Sequence, residues 1–170
     1  MNRRSLLAAP LLLPALAATQ AHAQTQNPTR LRMALLPDEN ASTIIQNAQP
    51  LRTHLARALG RDVQVVVTTD YSSMIEAMRF GRIEIAYFGP FSYVLAKSRA
   101  EGIEPFAVGV ERGSPTYRSI IIAAADGPVK KLEDVRGHPM AFGDQASTSS
   151  HLVPRATILL ASGAVEARAF

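Results

Sequence analysis

The sequence predicts an α/β fold with a largely parallel sheet. Apolar, strand-like runs alternate along the chain with amphipathic segments of helical period, and that alternation is typical of βαβ units. One of the runs, VQVVVTT at residues 63–69, is continuous and β-branched, as expected of a strand that is covered on both faces. Short turn sequences separate the segments, so the order of elements can be followed from residue 31 onward.

The first half of the chain predicts three strands that alternate with three helices. The first helix carries a leucine face and ends at Gly60, a residue type that favours the left-handed C-cap conformation. The second helix is expected to open with a capping box at Ser73-x-x-Glu76. Its apolar residues Met74, Ile75 and Met78 are expected to point inward. The predicted strands are residues 31–37, 63–69 and 83–89, and the predicted helices are residues 48–60, 73–81 and 91–100.

The second half predicts three further strands and one helix. Residues 105–111 and 118–125 have strand character, and the sequence RGSPTY joins them; a third run at residues 139–144 leads into a new helix. Pro154 lacks an N–H and clashes with the carbonyl four residues before it, so it belongs near the start of that helix. Residues 147–151 therefore form a helix N-terminus beyond the carboxyl end of a strand, where α/β sheets bind ligands.

Four hydroxyl residues occupy this helix start: Ser147, Thr148, Ser149 and Ser150. A single Ser or Thr is a common N-cap, because its oxygen accepts a hydrogen bond from one of the unpaired N–H groups of the first turn. A cap needs only one hydroxyl, however. Additional donors at the positive end of the helix dipole are typical of an anion-binding site. On this stretch alone, both interpretations stay open.

The N-terminus predicts export. A basic start is followed by the apolar run LLAAPLLLPALAAT and by Ala21-His22-Ala23, an A-x-A cleavage site. The run is shorter than the roughly 20 residues of a bilayer span and contains two prolines. We therefore expect a signal peptide over residues 1–23, cleavage after Ala23 and a periplasmic protein. Arg3-Arg4 leaves the Sec and the twin-arginine export routes open.

Composition and motifs exclude several functions. Without the signal peptide, 147 residues carry 16 Lys and Arg against 14 Asp and Glu, which is a formal charge of +2. The longest basic run in them is Lys130-Lys131. We therefore expect no nucleic-acid partner. The chain has no cysteine, and neither His54 nor His138 has a companion at ligand spacing, so we expect no metal and no cofactor. Ser150-His151 does not predict a catalytic pair, since adjacent helical residues do not face each other.

Four motifs carry a family resemblance: TTDYSSMIEAMRFGRIEIAYFGPFSYVLA, RGSPTYRSIIIA, LEDVRGHPMAFGD and STSSHLVP, in this order behind a signal peptide. Together they resemble the phosphonate-type periplasmic substrate-binding proteins of ABC transporters, a group that also takes up phosphite and related oxyanions. The resemblance covers nearly the whole mature chain. The ordered set is more specific than any single motif, since LEDVRG alone recurs in many type II binding proteins.

The resemblance implies a type II periplasmic-binding-protein fold, in which two α/β lobes with mainly parallel sheets clamp the ligand between them. It places the first lobe at residues 24–112, and the crossover with the beginning of the second lobe at residues 113–170. Members of that family are much longer than this chain. We therefore expect the second lobe to be incomplete and the sequence to belong to a longer protein.

The resemblance also implies the site residues. In the family, a Ser-Thr-Ser loop and two tyrosines hold the phosphonate oxygens. In this chain we also expect the backbone N–H groups around Ser150 and His151 to donate to the ligand. This sequence departs from the pattern at Ser150, where the family has Gly, and at GDQA, where a GDPNS-like run is usual. The candidate ligand-binding residues are Tyr71, Tyr117, Ser147, Thr148, Ser149, Ser150 and His151.

These observations predict a monomeric solute-binding protein, not an enzyme, that delivers a phosphonate, phosphite or related phosphorus oxyanion to an ABC permease in the inner membrane. Two alternatives stay open. One is a ligand-sensing input domain of the same fold, which the cleavable signal disfavours. The other is an exported serine hydrolase that uses Ser149 or Ser150, which the lack of a Gly-x-Ser-x-Gly motif disfavours.

The signal sequence generates a first testable prediction. Because the A-x-A site ends at Ala23, the exported protein should begin at Gln24. N-terminal sequencing of the protein recovered from the periplasm measures this directly. A mature protein that still begins with Met1 would contradict both the signal peptide and the periplasmic location.

Overall fold

Three parallel strands form the sheet. The computed structural model describes residues 27–161. Within them, β1 (Arg30–Leu35) lies between β2 (Asp62–Val67) and β3 (Ile85–Tyr87). Both pairs are parallel, and Met33 of β1 lies opposite Val65 of β2 and Ile85 of β3. The predicted α/β class with a parallel sheet is confirmed, whereas the predicted signal peptide lies outside the described residues.

Helices connect the strands and follow the last one. The bounds are α1 (Ala41–Leu59) between β1 and β2, α2 (Tyr71–Arg79) between β2 and β3, and α3 (Pro90–Arg99) after β3. A short 3-10 turn (Leu132–Val135) and a π-helical turn (Thr148–Leu152) come later, and the π-helical turn continues directly into α4 (Val153–Ala161). Within residues 27–161, no helix combines the length and the apolar composition that crossing a membrane requires.

Helix α1 begins earlier than the sequence predicts. The amphipathic segment in the sequence predicts a start at residue 48. The structure instead places Pro50 inside the helix and starts the helix after Asn40, whose side-chain oxygen accepts a hydrogen bond from the Ser42 N–H at 2.9 Å. The Asn40 cap and the packing of α1 along β2 together offset the cost of the proline. The C-terminal prediction is confirmed, because Gly60 caps the helix with φ of 62°.

The start of α2 also differs from the prediction. The N-cap is Asp70 and not Ser73, and the Asp70 carboxylate accepts a hydrogen bond from the Ser73 N–H at 2.6 Å. Hydrogen bonding from the Ser73 N–H lowers the pKa of the Asp70 carboxyl below its usual value. Tyr71 consequently becomes the first residue of α2.

The core lies on both faces of the sheet. Met33 and Val63 pack with Ala48 on the side of α1, while Ala34, the next residue of β1, packs with α2 and α3 on the other side. Successive strand residues point to opposite faces, so this arrangement accounts for the continuous apolar runs. Met74 and Ile75 are buried in the second cluster, as predicted from the helical pattern. The other members of that cluster are Leu36, Tyr71, Ile83, Ala96 and Ala146.

The three strands predicted in the second half are wrong. No strand forms at residues 105–111, 118–125 or 139–144. The only strand-like backbone pairing in these three segments is an isolated β-bridge between Glu111 and Ser114. Strand propensity describes side chains that fit a half-buried pleated surface, but a strand forms only when a neighbouring backbone pairs with it. Apolar side chains such as Phe106 and Ile122 are exposed, which shows that the described residues supply no such neighbour.

A tight turn stands at the predicted crossover between lobes. Glu111 and Ser114 exchange two backbone hydrogen bonds, at 2.9 and 3.0 Å. Between them, Arg112 and Gly113 both have positive φ, 49° and 81°. Arg112 is the only non-glycine residue in the left-handed region among residues 27–161, so the chain reverses sharply here at a local conformational cost. The division into lobes at this point stays a prediction.

The core generates the second prediction. Met74 is fully buried (0% exposed) between α2 and the sheet, so Met74→Ala should lower the free energy of unfolding by about 2–5 kcal/mol through lost burial and a residual cavity. Val94→Ala, on α3 where Val94 is 57% exposed, is the matched control and should change it by less than about 0.5 kcal/mol. Urea unfolding followed by circular dichroism measures both, and equal effects would contradict the assigned core.

Candidate functional site

The helix start predicted to bind an anion is capped by one of its four hydroxyl residues. Ser147 is the N-cap, and it is only 5% exposed. Its Oγ accepts hydrogen bonds from the Ser150 N–H at 3.3 Å and from the Ser150 hydroxyl at 2.7 Å. Capping therefore explains Ser147 and engages Ser150, but it leaves the side chains of Thr148 and Ser149 available for other contacts.

Pro154 explains the wide first turn of this helix. The Leu152 N–H donates to the Ser147 carbonyl and the Val153 N–H donates to the Thr148 carbonyl, both five residues apart, so the turn is π-helical. Pro154 has no N–H to continue this ladder, and the next two carbonyls lose their helical partner.

Two distant segments satisfy these carbonyls. The Ser119 hydroxyl donates to the Ser149 carbonyl at 2.5 Å, and the Gly143 N–H donates to the Ser150 carbonyl at 2.9 Å. Because Pro154 leaves both carbonyls without a helical donor, they accept hydrogen bonds from these two segments, which docks both segments on the helix start. The predicted position of Pro154 near a helix start is confirmed.

Gly143 lies unusually close to the helix start. A Cβ atom at this position would stand 2.8 Å from the Ser150 Cβ and closer still to its Oγ. The Gly143 carbonyl also faces the Nδ1 atom of His151 at 3.3 Å, and the imidazole packs on the Phe142 ring at 5.4 Å between centroids. His151 is therefore held by residues 142–143, and the Ser150 hydroxyl donates to Ser147 and not to the imidazole.

Thr148 joins the helix start to a second helix N-terminus. Its Oγ1 accepts a hydrogen bond from the Phe91 N–H at 2.8 Å, in the first turn of α3. Helix α3 begins after Gly89 without a side-chain cap of its own, so Thr148 supplies that cap from 57 residues away. Because the Thr148 oxygen accepts this bond, the hydroxyl proton stays free to be donated elsewhere.

The site residues predicted from the sequence do not include the N-terminus of α3. The signal was present in Gly89-Pro90 directly after the third strand, since Pro is favoured in a first helical turn and that turn lies at the carboxyl edge of the sheet. Ser92 is fully buried there, and its hydroxyl donates to the Gly89 carbonyl at 3.0 Å. Two helix N-termini therefore converge at Thr148.

Tyr71 connects the helix start to the loop after β1. The residue is 9% exposed; its N–H donates to an Asp144 carboxylate oxygen at 3.3 Å, and its hydroxyl donates to the Asp38 Oδ1 atom at 2.7 Å. Burial and the hydrogen bond to Asp38 raise the pKa of the phenol to about 12, while hydrogen bonding with Ser147 acts in the opposite direction. At neutral pH the phenol therefore keeps its proton and acts as a donor.

The remaining candidates are less constrained. Ser149 is half-buried, and no hydrogen bond between described residues involves its hydroxyl. Tyr117 is 56% exposed in the segment after the turn at residues 111–114, and no hydrogen bond between described residues involves its hydroxyl. The structure thus brings together Tyr71, Ser147, Thr148 and Ser150, and it leaves Tyr117 outside this cluster.

The cluster is built of neutral donors beside carboxylates. The hydroxyl groups and the two helix N-termini supply positive potential without a formal positive charge. No Lys or Arg side chain hydrogen-bonds to the cluster within the described residues, whereas Asp38 and Asp144 both contact Tyr71. Residues 27–161 also contain no group of three His, Cys, Asp or Glu placed to hold a metal ion. This chemistry suits reversible binding of an oxyanion.

The close approach at Gly143 generates the third prediction. Gly143→Ala should lower the free energy of unfolding by about 1–3 kcal/mol, because the new methyl group overlaps Ser150 and displaces the backbone bond to its carbonyl. Gly102→Ala is the matched control, since a Cβ atom there meets nothing within 4 Å. Thermal unfolding of both variants measures the difference. Equal melting temperatures would show that residues 143 and 150 are not in contact.

Comparison with known proteins places the chain in a family. Residues 33–170 match the model of the family described as ABC transporter, phosphonate, periplasmic substrate-binding protein. The phosphate-import protein PhnD of Mycolicibacterium smegmatis is 34% identical over 135 residues, which cover 78% of this chain and 42% of that protein. The phosphonates-binding periplasmic protein of Escherichia coli is 33% identical over 139 residues, which cover 79% of this chain and 40% of that protein.

A solved structure agrees with these relatives. The crystal structure of a binding protein component of an ABC phosphonate transporter from Pseudomonas aeruginosa superposes with a TM-score of 0.72 at 29% identity, and the match covers 83% of this chain and 48% of that chain. This chain thus spans less than half the length of the curated relatives it matches. The chain belongs to the family of phosphonate-type periplasmic substrate-binding proteins of ABC transporters.

Proposed function

We propose that this chain is part of the periplasmic solute-binding component of an ABC uptake system, and that it binds a phosphonate, a phosphite or a related phosphorus oxyanion. The observation that carries the proposal is the convergence of two helix N-termini and the Tyr71 phenol on Thr148 and Ser147. Both curated relatives support the ligand class, since their names assign them phosphate and phosphonates.

The contacts indicate how the oxyanion would be held. Thr148 accepts from the Phe91 N–H and therefore has its own proton to donate, and Ser149 has a hydroxyl without a partner among the described residues. The helix dipole adds favourable potential at both N-termini. Neutral donors bind an anion without the long-lived ion pair that a lysine or arginine would add, which suits a protein that must release its ligand to a permease.

The proposed organisation follows the two-lobe plan of the family. Residues 24–112 would form the first lobe, and residues 113–170 the crossover and the beginning of the second lobe. Tyr117 would then donate to the ligand from the second lobe, across a cleft that closes on binding. Its exposure is compatible with a residue that gains its contacts only with ligand.

The structure does not favour the hydrolase alternative. A serine nucleophile needs a base within hydrogen-bond reach. Ser150 donates instead to Ser147, and His151 faces the Gly143 carbonyl. A sensing domain of the same fold would use the same ligand contacts, so it differs from a transport component in its partner and not in this site.

The fourth prediction tests the donors. A neutral hydrogen bond to a charged group contributes about 1.5–3 kcal/mol, so Thr148→Val and Tyr117→Phe should each weaken binding roughly 10- to 150-fold. The matched controls are Thr157→Val, whose hydroxyl donates to the Val153 carbonyl on the exposed side of α4, and Tyr93→Phe in α3. Isothermal titration calorimetry on the full chain with methylphosphonate, phosphite and phosphate measures the affinities.

The same titrations separate a binding site from a mere cap. The triple change of Ser147, Thr148 and Ser149 to Ala should weaken binding severely while some anion preference persists, because part of the potential comes from backbone N–H groups. If Thr148→Val and Tyr117→Phe both stayed within twofold of the controls for every oxyanion that binds, the hydroxyl groups would only cap helices.

A further inference from the structure

Asp38 presents an unused acceptor beside the proposed oxyanion site. It follows β1 and precedes the Asn40 cap, so it takes no part in capping α1. Its Oδ1 atom accepts the Tyr71 hydroxyl proton at 2.7 Å, and that is the one hydrogen bond it makes with described residues. The remaining lone pairs of this carboxylate therefore need a donor once a ligand or a second lobe displaces water.

The other carboxylates around Tyr71 are already satisfied. Asp144 accepts from the Tyr71 N–H at 3.3 Å through one oxygen and from the Ala146 N–H at 2.8 Å through the other. Asp70 accepts from the Ser73 N–H and from the Thr69 hydroxyl. Asp38 alone among these three faces the Tyr71 hydroxyl, which also lies within reach of Ser147.

We propose that Asp38 selects oxyanions that carry a proton, so that the site takes the monoanion of a phosphonate or phosphite and rejects oxyanions with acceptor oxygens only, such as sulfonates. This inference rests on the proposed function. It adds the protonation state of the ligand and assigns Asp38 as the residue that accepts the ligand proton. Asp38 acts both directly, as an acceptor, and through the orientation of Tyr71.

The number of protons available at Tyr71 and Asp38 explains this selectivity. The Tyr71 phenol has a single proton, and in the structure it is donated to Asp38. If Tyr71 turns that proton to an oxyanion, Asp38 loses its donor; if it does not, the oxyanion meets a carboxylate with free lone pairs. A ligand P–OH group resolves both cases, because it donates to Asp38 while its other oxygens accept from the hydroxyl cluster. Asp38 is exposed in this structure, where its free lone pairs face solvent. Once a bound oxyanion displaces that solvent, a carboxylate left without a donor beside a second anion is strongly unfavourable.

The ligands differ in this respect near neutral pH. The second ionisation of a phosphoryl group lies close to neutrality, with a pKa of about 6 in phosphate esters, so a proton-bearing monoanion is present at mildly acid pH. A sulfonate has no second proton at any of these pH values. A site built to hydrogen-bond a hydroxyl rejects an analogue that lacks it by large factors, roughly 10⁴ where the site is fully buried.

The fifth prediction uses Asp38→Asn in the full chain. The asparagine Oδ1 atom can still accept from Tyr71, so the position of the phenol is kept, while its NH₂ group donates to oxyanions that have no proton. Calorimetry would measure methylphosphonate and methanesulfonate at about pH 5.5 and about pH 8.5. Glu39→Gln is the matched control, because it removes the same charge from the neighbouring exposed residue without a contact to Tyr71.

The expected result is a change of selectivity. The unaltered protein and Glu39→Gln should prefer methylphosphonate over methanesulfonate by at least about 100-fold at the lower pH, and their affinity for methylphosphonate should fall as pH rises and the monoanion is lost. Asp38→Asn should reduce the preference by about tenfold or more and flatten the pH profile. A role in positioning Tyr71 alone would leave both the ratio and the profile unchanged.

Two outcomes overturn the inference in distinguishable ways. If methylphosphonate binds and Asp38→Asn matches Glu39→Gln in selectivity and pH profile, Asp38 does not read the ligand proton, and the proposed function stands. If the unaltered protein binds neither methylphosphonate, phosphite nor phosphate, the proposed function fails and this inference fails with it. Unchanged unfolding temperatures of both variants establish that the comparison concerns binding and not folding.

Discussion

The buried Tyr71 side chain connects the three segments on which the site depends. Its N–H is bound by Asp144, its hydroxyl by Asp38, and its ring packs in the core beside Met74. Asp38 follows β1 and Tyr71 follows β2, and the carboxyl ends of parallel strands meet at one edge of a sheet. A residue that donates twice at this edge therefore holds the loop after β1 and the loop before the π-helical turn in one arrangement.

The geometry of the π-helical turn follows from a missing donor. Pro154 has no N–H, so the Ser149 and Ser150 carbonyls must find partners outside the helix, and Ser119 and Gly143 supply them. The proline thus directs two segments that are distant in sequence onto the helix start. Only a glycine fits at 143, because the helix start leaves no room for a Cβ atom. The hydroxyl cluster is therefore held from outside as well as by its own helix.

The elements predicted correctly from the sequence are those set by local pattern. The first three strands, the Gly60 cap, the inward Met74 and Ile75 and the position of Pro154 all depend on side-chain periodicity or on the conformational limits of one residue. The three later strands could not be predicted reliably, because strand character in a sequence does not state which backbone pairs with it. Residues 105–125 keep apolar side chains exposed for this reason.

The same distinction holds for the site: side chains that are close in sequence could be predicted, and contacts between distant segments could not. The hydroxyl-rich helix start was recognisable because its donors are consecutive in sequence. The contributions of Phe91, whose N–H meets Thr148 across 57 residues, and of Asp38, whose partner Tyr71 is 33 residues away, depend on the packing of distant segments. Which side chain meets which at the sheet edge is set by the turns between strands and helices, and those turns carry little sequence pattern.

The hydroxyl groups of Ser150 and Tyr71 each donate a hydrogen bond within the candidate site. Ser150 donates to Ser147, and Tyr71, which lies beside Ser147, donates to Asp38. Both hydroxyl protons are therefore engaged before a ligand binds, and the one on Tyr71 is directed to a carboxylate. If Asp38 accepts the ligand proton as proposed, an oxyanion competes with Asp38 for the Tyr71 proton, and a tight complex then requires that the ligand donate a proton to that carboxylate. Under the proposed function, hydroxyl groups that have partners before binding would regain them on release, which favours reversible binding.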